Sequence, residues 1–421
     1  MIVAYYDDKN LGNLSHLEKE VFDYSLHSIG EARRAGFVVK ESRSRLVPYP
    51  EKGIYFIKVR EHADTWLGAT PHTENILNHI PERTIKALKQ EQIILVIDNT
   101  EEGKSLNYEK ANGFQKIHDF MKMHELPPFS VLIFNGDKLF NHEYENWCIK
   151  KKVTPRIAHC YGLAGFFYFE NKIPKNPLVL KAIRDLEAKS FNSLNRTGRL
   201  QRFFHLFYLI DKNLVENNVV SGLCDINKTM TPKELVENYF DINHKYFTDI
   251  LMENLPIFVD GDWSQKIEYL DETARFNHDI YKSSLLTFVT ETNFFDPGLF
   301  ITEKVFKPIV AGHPFILLGQ KGVLKFLQTL GYETDFYGID QSYDDIENDK
   351  ERFFCAHQSL EKWISLSRRQ KNQIILKNIP ILEHNMKHFY NNDHLKDSFI
   401  NLKNTVNQIF KKKYRIFYEG K

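Results

Sequence analysis

Residues Tyr281 to Gly331 constrain the fold of this 421-residue chain more than any other stretch. Leu285 to Val289 is an apolar run of strand length, and Glu291 follows at its end. A loop with Asn293, Asp296, Pro297 and Gly298 comes next. Thr302 then has the short hydroxyl side chain of a helix N-cap, Glu303 falls in the first turn, and Gly312 closes the helix. Pro314 to Leu318 is a second apolar strand, stopped by Gly319, and Gly322 to Leu330 is a second helix, stopped by Gly331. Strand and helix alternate as β-α-β-α. The acid, hydroxyl and lysine of the stretch fall where a strand ends and a helix begins, the edge at which open α/β sheets bind ligands. Helix N-termini attract anions, and Lys304 adds a point charge suited to phosphate.

The same alternation runs through the chain. Ile2 to Tyr6, Ile54 to Val59, Ile93 to Ile97 and Val131 to Phe134 read as strands. A helix is expected from about Tyr108 to Glu125, with Phe114, Ile117, Phe120 and Met121 on one face and Pro127-Pro128 behind it. Between Lys150 and Pro177 the pattern loosens, so a junction is expected at residues 165–180, dividing the chain into domains 1–170 and 171–421. Ser190 to Leu194 and Ile257 to Val259 are further expected strands, and amphipathic helix dominates after Gly331. Such alternation indicates parallel sheets, and 421 residues exceed one ordinary core, so two Rossmann-like domains are expected.

Bulk composition excludes several classes. Hydrophobic residues make up 42% and charged residues 26%, the balance of a globular chain rather than a disordered one. A net charge of +1 announces no global field for a polyanion. The four cysteines, Cys148, Cys160, Cys224 and Cys355, form no CxxC pair, so neither a zinc site nor a disulfide framework is implied. No basic leader opens the chain and no stretch reaches the ~18 apolar residues of a membrane span, so a cytoplasmic setting is expected. P-loop, GxGxxG and GxSxG patterns are lacking, which argues against a nucleoside triphosphatase, a dehydrogenase and an α/β-hydrolase.

Three other clusters bear on chemistry. Leu194 to Arg202 reads LNRTGRLQR, a strand-to-helix turn with Arg196, Arg199 and Arg202. The planar fork of arginine suits a pyrophosphate. Asp98 to Gly103 reads DNTEEG and puts Asp98, Glu101 and Glu102 at a strand end, where a carboxylate can take a proton from a substrate hydroxyl. Glu61, His62 and Asp64 follow another expected strand and fit the same task nearly as well. Each of these acids, taken singly, is also an ordinary cap or loop acid. His384 and His388 lie four apart on an expected helix without the glutamate of an HExxH pair, so a solvated or capping face is the better reading.

YKSSLLTFVTET followed by FITEK and AGHPFILLG resembles the donor-binding half of GT-B glycosyltransferases, most closely the α1,3-fucosyltransferases. The likeness covers about a quarter of the chain. ITEK alone is a weak signal, a helix cap with a surface ion pair; with the strand-end acid and AGHPFILLG it becomes more specific. The resemblance implies a GT-B-like α/β fold of two Rossmann-like domains facing across a cleft, with C-terminal helices. It implies an enzyme that moves a sugar from a nucleoside diphosphate sugar to an acceptor hydroxyl with inversion. It gives Glu303 the ribose, Lys304 the diphosphate, Glu291 a place near the sugar, and Arg202, with Arg196 or Arg199 as substitutes, a further contact to the diphosphate. Thr292 stands where the family has Asn, so the sugar stays open, as does UDP against GDP. No cofactor beyond the donor substrate is implied and no metal is expected. Asp260-Gly261-Asp262 matches the metal-holding triplet of the other large glycosyltransferase architecture, but Asp-Gly is also a turn signal and the turn is preferred here.

The acceptor is read from charge. Residues 31–60 hold eight cations, Arg43 and Arg45 among them, against Glu31, Glu41 and Glu51. Lys150, Lys151, Lys152 and Arg156 form a second basic run. Such surfaces fit a phosphate backbone, so duplex DNA carrying a hydroxymethylated base is the expected acceptor, with Arg43, Arg45, Glu61 and His62 beside it. The resemblance then extends to phage-type DNA-modifying glycosyltransferases. A solvated basic face is the commoner meaning of a charge run. A fucosyltransferase-like enzyme acting on a glycan is the alternative, and a non-catalytic nucleotide or nucleic-acid binding protein is the alternative of another class.

Overall fold

Every strand ladder among the described residues is parallel. The computed structural model describes residues 2–6, 32–33, 35–41, 49, 51–59, 67–68, 75–100, 105–106, 111–163, 174–223, 233–259, 277–295, 297–392 and 394–414. The chain divides into two units. The first comprises 1–165, 296–300 and 393–421; the second comprises 166–295 and 301–392.

The first unit carries a six-stranded sheet. Its strands are β1 (Val3–Tyr6), β2 (Val38–Glu41), β3 (Gly53–Lys58), β4 (Ile93–Asn99), β5 (Val131–Asn135) and β6 (Ile157–Tyr161), in the order β2-β1-β3-β4-β5-β6. All seven residues of β4 are buried, as a central parallel strand covered on both faces requires. Its side chains alternate between two cores. Ile93, Leu95 and Ile97 pack with residues of helices α1 (Glu82–Lys89), α2 (Gly113–Met123) and α3 (Phe140–Lys151). Ile94 and Val96 pack on the other face with Phe399, Leu402 and Val406. Those three lie on the last helix of the chain, His394–Phe410. Its Phe399 ring stands edge-on to Phe134, with centroids 5.4 Å apart.

The second unit carries a four-stranded sheet of β7 (Asn192–Asn195), β8 (Val219–Gly222), β9 (Thr287–Thr290) and β10 (Phe315–Leu318), in the order β10-β9-β7-β8. Its helices are α4 (Val179–Ala182), α5 (Leu200–Asp211), α6 (His244–Asn254), α7 (His278–Lys282), α8 (Glu303–Ala311), α9 (Val323–Thr329), α10 (Asp349–Ser365) and α11 (Arg368–Asn391); the His394–Phe410 helix of the first unit is α12. Chain order reverses direction at β7. From β7 the chain moves outward to β8, then crosses back so that β9 lies on the other side of β7 and β10 beyond it. Such a switch point opens a crevice at the carboxyl ends of the two central strands.

The α/β expectation is met in this form: two parallel sheets, each surrounded by helices. The domain assignment differs in three places, the first a boundary at 165 rather than 170. Residues 393–421 group with the first unit and not with 171–392, because α12 covers one face of its sheet. Residues 296–300, between β9 and α8, also group with the first unit. There the Leu299 amide donates to Asp137 Oδ1 at 2.7 Å. Ile257 to Val259 makes no regular strand: Ile257 supplies only an isolated antiparallel bridge to Gly222. Among the described residues, no helix is long and apolar enough to cross a membrane.

Candidate functional site at the switch point of the second sheet

The crevice edge is built from the ends of β7 and β9 and from the starts of α5 and α8. β9 ends at Thr290, and the Glu291 amide continues the ladder by donating to Leu318 O at 2.9 Å. The Thr290 hydroxyl donates to Asn195 Oδ1 at 2.5 Å, which ties the end of β9 to the end of β7.

Helix α8 starts at Thr302, whose hydroxyl accepts from the Lys304 amide at 3.4 Å. It stops at Gly312, in the left-handed region at φ 62°. A Cβ there would lie 2.6 Å from Pro177 Cα and from Met386 Sδ, so only glycine satisfies both the backbone and the space.

Glu291 is fully buried. Its Oε1 accepts from the Thr302 amide at 3.2 Å, and its Oε2 accepts from the Thr302 hydroxyl at 2.6 Å and the Thr292 amide at 3.1 Å. Burial pushes its pKa up, against the opposing pull of Lys304. Its visible work is to join the end of β9 to the cap of α8. Glu303 is the contrasting case. Burial pushes its carboxyl upward, but Lys304 and Lys307 beside it hold it below the ordinary carboxylate range. Lys304 Nζ donates to Glu303 Oε1 at 2.8 Å, to Thr292 Oγ1 at 3.2 Å and to Thr302 Oγ1 at 3.3 Å. Half-buried Lys307 is pushed down first by burial and further by Lys304 and Arg196, with Glu303 opposing.

The three arginines of the β7–α5 turn separate in role. Arg202 is 3% exposed, and its guanidinium donates to Thr197 O at 3.0 Å and Thr290 O at 3.4 Å. It clamps main chain, although its spacing gave it first place for the diphosphate. Arg199 is the N-cap residue of α5 and its side chain makes no cap bond. Arg196 is exposed and close enough to Lys307 to depress its pKa. Gln201, which sequence reasoning passed over, donates from Nε2 to Glu291 O and Thr292 O, both at 2.8 Å. Lys307 was also passed over; its spacing of three and four residues from Lys304 and Glu303 on one helix was the available signal. Asn293 is 2% exposed, and its Nδ2 has no hydrogen-bond acceptor among the described residues, so a buried amide donor stands two residues past Glu291.

A directional hydrogen-bond chain supports the end of β7. His357 Nδ1 can only donate to Phe353 O, at 2.8 Å, so its Nε2 accepts from His205 Nδ1 at 2.9 Å. His205 Nε2 must then accept from the Ser193 hydroxyl at 2.9 Å, and Ser193 Oγ accepts from Asn195 Nδ2 at 3.2 Å. The chain runs in this direction when both imidazoles are neutral. Burial agrees: it lowers His205 strongly, with His357 adding, and it pushes His357 down to about 4.

The expected first-domain residues are mostly out of view. Glu101, Glu102, Arg43, Arg45, Glu61 and His62 lie outside the described residues, as do Asp64, Asp260 and Asp262. Asp98 is described and is 1% exposed. Its Oδ1 accepts from the Thr100 amide at 3.1 Å and the Thr100 hydroxyl at 2.7 Å, which is the geometry of a turn cap at the end of β4. A different acid pair stands beyond β5. Burial pushes Asp137 up to about 6, with the Leu299 and Leu139 amides opposing. Burial also pushes Glu143 up to about 7, with its Ser105 hydrogen bond opposing and Asp137 adding. Lys150, Lys151 and Lys152 are exposed at the end of α3, whereas Arg156 donates to Leu126 O.

Among the described residues, no group of three or more His, Cys, Asp or Glu is arranged to hold a metal. His384 and His388 face the end of α9, where their Nε2 atoms lie 3.0 Å from Gly331 O and 2.6 Å from Leu330 O. In comparisons with known proteins, no family model matches the chain and no curated protein matches it.

Proposed function

We propose that the chain is a glycosyltransferase whose second unit holds a nucleoside diphosphate sugar at the switch point between β7 and β9. The observation that carries the reading is the gathering of Lys304 and Lys307 about Glu303 at the start of α8, with Arg196 near Lys307. Two segments about a hundred residues apart supply these cations, and the helix start adds its own preference for anions. In this reading Glu303, held ionised, accepts from the ribose hydroxyls. Lys304 and Arg196 face the diphosphate, and Asn293 offers an amide donor to the sugar. An acceptor hydroxyl attacks the anomeric carbon, the bond from that carbon to the diphosphate oxygen breaks, and the hydroxyl proton passes to a base. The cations stabilise charge as it develops on the leaving diphosphate, commonly the largest single contribution to such a barrier reduction. Duplex DNA is the acceptor in this proposal, and the exposed Lys150 to Lys152 support a polyanionic one.

One observation favours a non-catalytic nucleotide-binding protein: Asp98 is buried and engaged as a turn cap. A thermal-shift panel of UDP, GDP, ADP and CMP, followed by sugar transfer to hydroxymethylated duplex DNA, separates the readings. Stabilisation by one diphosphate, with transfer from its sugar conjugate, is the expected result. A shift without transfer to DNA or glycan supports the binding protein. No shift with any nucleotide removes the donor site.

A further inference from the structure

We propose that the second unit carries another anion site, at the opposite edge of its sheet, which binds phosphate groups. A cavity of about 430 Å³ lies beside α4 and α7. Both helices precede a strand, α4 before β7 and α7 before β9, so they stand at the amino ends of those strands. The Leu178 amide donates to Ala311 O at 2.8 Å, which places the carboxyl end of α8 there as well. The first turn of α8, with Lys304 and Arg196 near it, belongs to the other edge.

The lining has one sign of charge. Lys175, Lys181, Arg184 and Lys282 line the cavity with His278, and no acid does among the described residues. Lys282 is paired with Asp279 at 2.8 Å. The side chains of Lys175, Lys181 and Arg184 make no ion pair or hydrogen bond among the described residues, although Asp279 lies close enough to Lys181 for that cation to lower its pKa. The groups are close enough to act on one another: burial lowers the His278 pKa, and Lys282 and Lys181 lower it further against Asp279. A concave space with three cations that belong to no ion pair among the described residues, a lysine and an arginine one helical turn apart among them, suits a compact multivalent anion. Phosphate oxygens meet that description, since Arg184 can offer a fork and the lysines point charges. The volume is within the range of small-ligand sites, roughly 300–1,000 Å³.

The test reads the lysines themselves. The full chain is treated with an amine-acetylating reagent, with and without inorganic pyrophosphate, and modification is followed residue by residue by mass spectrometry. At ten times its Kd, pyrophosphate leaves about a tenth of the sites free, so acetylation of Lys175 and Lys181 should slow about tenfold. Protection should persist in Lys304→Ala, which separates this site from the donor site. It should be lost at Lys175 in the double variant Lys181→Gln, Arg184→Gln with unchanged melting temperature. A parallel arm replaces pyrophosphate with a short DNA duplex. Protection by the duplex that falls steeply with salt identifies backbone phosphates as the source, whereas protection by pyrophosphate alone identifies a small oligophosphate. If neither slows acetylation of Lys175 and Lys181 relative to lysines elsewhere on the second unit, the proposal is overturned.

Discussion

The Thr302 hydroxyl donates to Glu291 Oε2 at 2.6 Å, and the Thr302 amide donates to the other oxygen of the same carboxylate at 3.2 Å. One residue follows β9 and the other caps α8, so a single carboxylate fastens strand end to helix start. Glu291→Ala leaves three donors without their acceptor: the Thr302 amide and hydroxyl and the Thr292 amide. At about 1–3 kcal/mol for each buried orphan, partly relieved by water, the expected loss is about 3 kcal/mol. Urea unfolding measures it as a lower midpoint at unchanged slope. A loss under about 0.5 kcal/mol, the range of ordinary surface changes, would contradict the role.

Lys304→Ala tests the charge at the start of α8. Turnover should fall roughly 10²-fold or more if the ammonium acts as a preorganised charge on the leaving group. The variant should keep its fold, because the Lys304 side chain is 27% exposed and bonds mostly to neighbours on its own turn. Steady-state transfer assays with the diphosphate sugar identified by the nucleotide panel decide it; full activity would refute the role.

Asp137 makes stability depend on pH. Its folded pKa is raised from 3.8 to about 6, so the folded state holds the proton more tightly than the unfolded one. The associated stability is fully present below about pH 4 and is lost as pH rises through about 6. Two pH units correspond to about 3 kcal/mol. Asp137→Asn keeps an oxygen to accept from the Leu139 and Leu299 amides and cannot ionise. The variant should therefore gain on the wild type between pH 4 and 7 in urea midpoint. A difference that stays constant across that window would overturn the assignment.

Gly312→Ala should destabilise the second unit by more than about 1 kcal/mol. The alanine would need φ near 62° and would bring a Cβ to 2.6 Å from Pro177 Cα. Gly322→Ala is the control. Its φ of 79° imposes a like backbone strain, but among the described residues nothing beyond its own stretch of chain lies within 4 Å of the added carbon. Equal losses in the two variants, measured by urea unfolding, would show that the packing against Pro177 contributes nothing.

Local chemistry by itself determined β9, α8, β10 and α9 to within about two residues. An apolar run of strand length, a hydroxyl N-cap and a glycine C-cap each act within a few positions of chain. The parallel α/β class was legible for the same reason. Strands β2, β6 and β8 were not, because four or five residues with Lys40, His159 or Ser221 among them become strand only by pairing with distant neighbours. Strand order was equally hidden, and it alone puts the end of β7 beside the end of β9 and makes a crevice there. Arg196, Arg199 and Arg202 are chemically alike in the sequence. Packing set them apart, by burying Arg202 on main-chain carbonyls and leaving Arg196 exposed near Lys307. Asp98 ends a strand, as its sequence indicated, but only the fold decided that it would be buried and hydrogen-bonded to Thr100. Spacing along the chain sets which residues can share a helix face or a strand end. Burial and strand order are set by contacts between segments far apart in sequence, and those contacts exist only once the chain has folded.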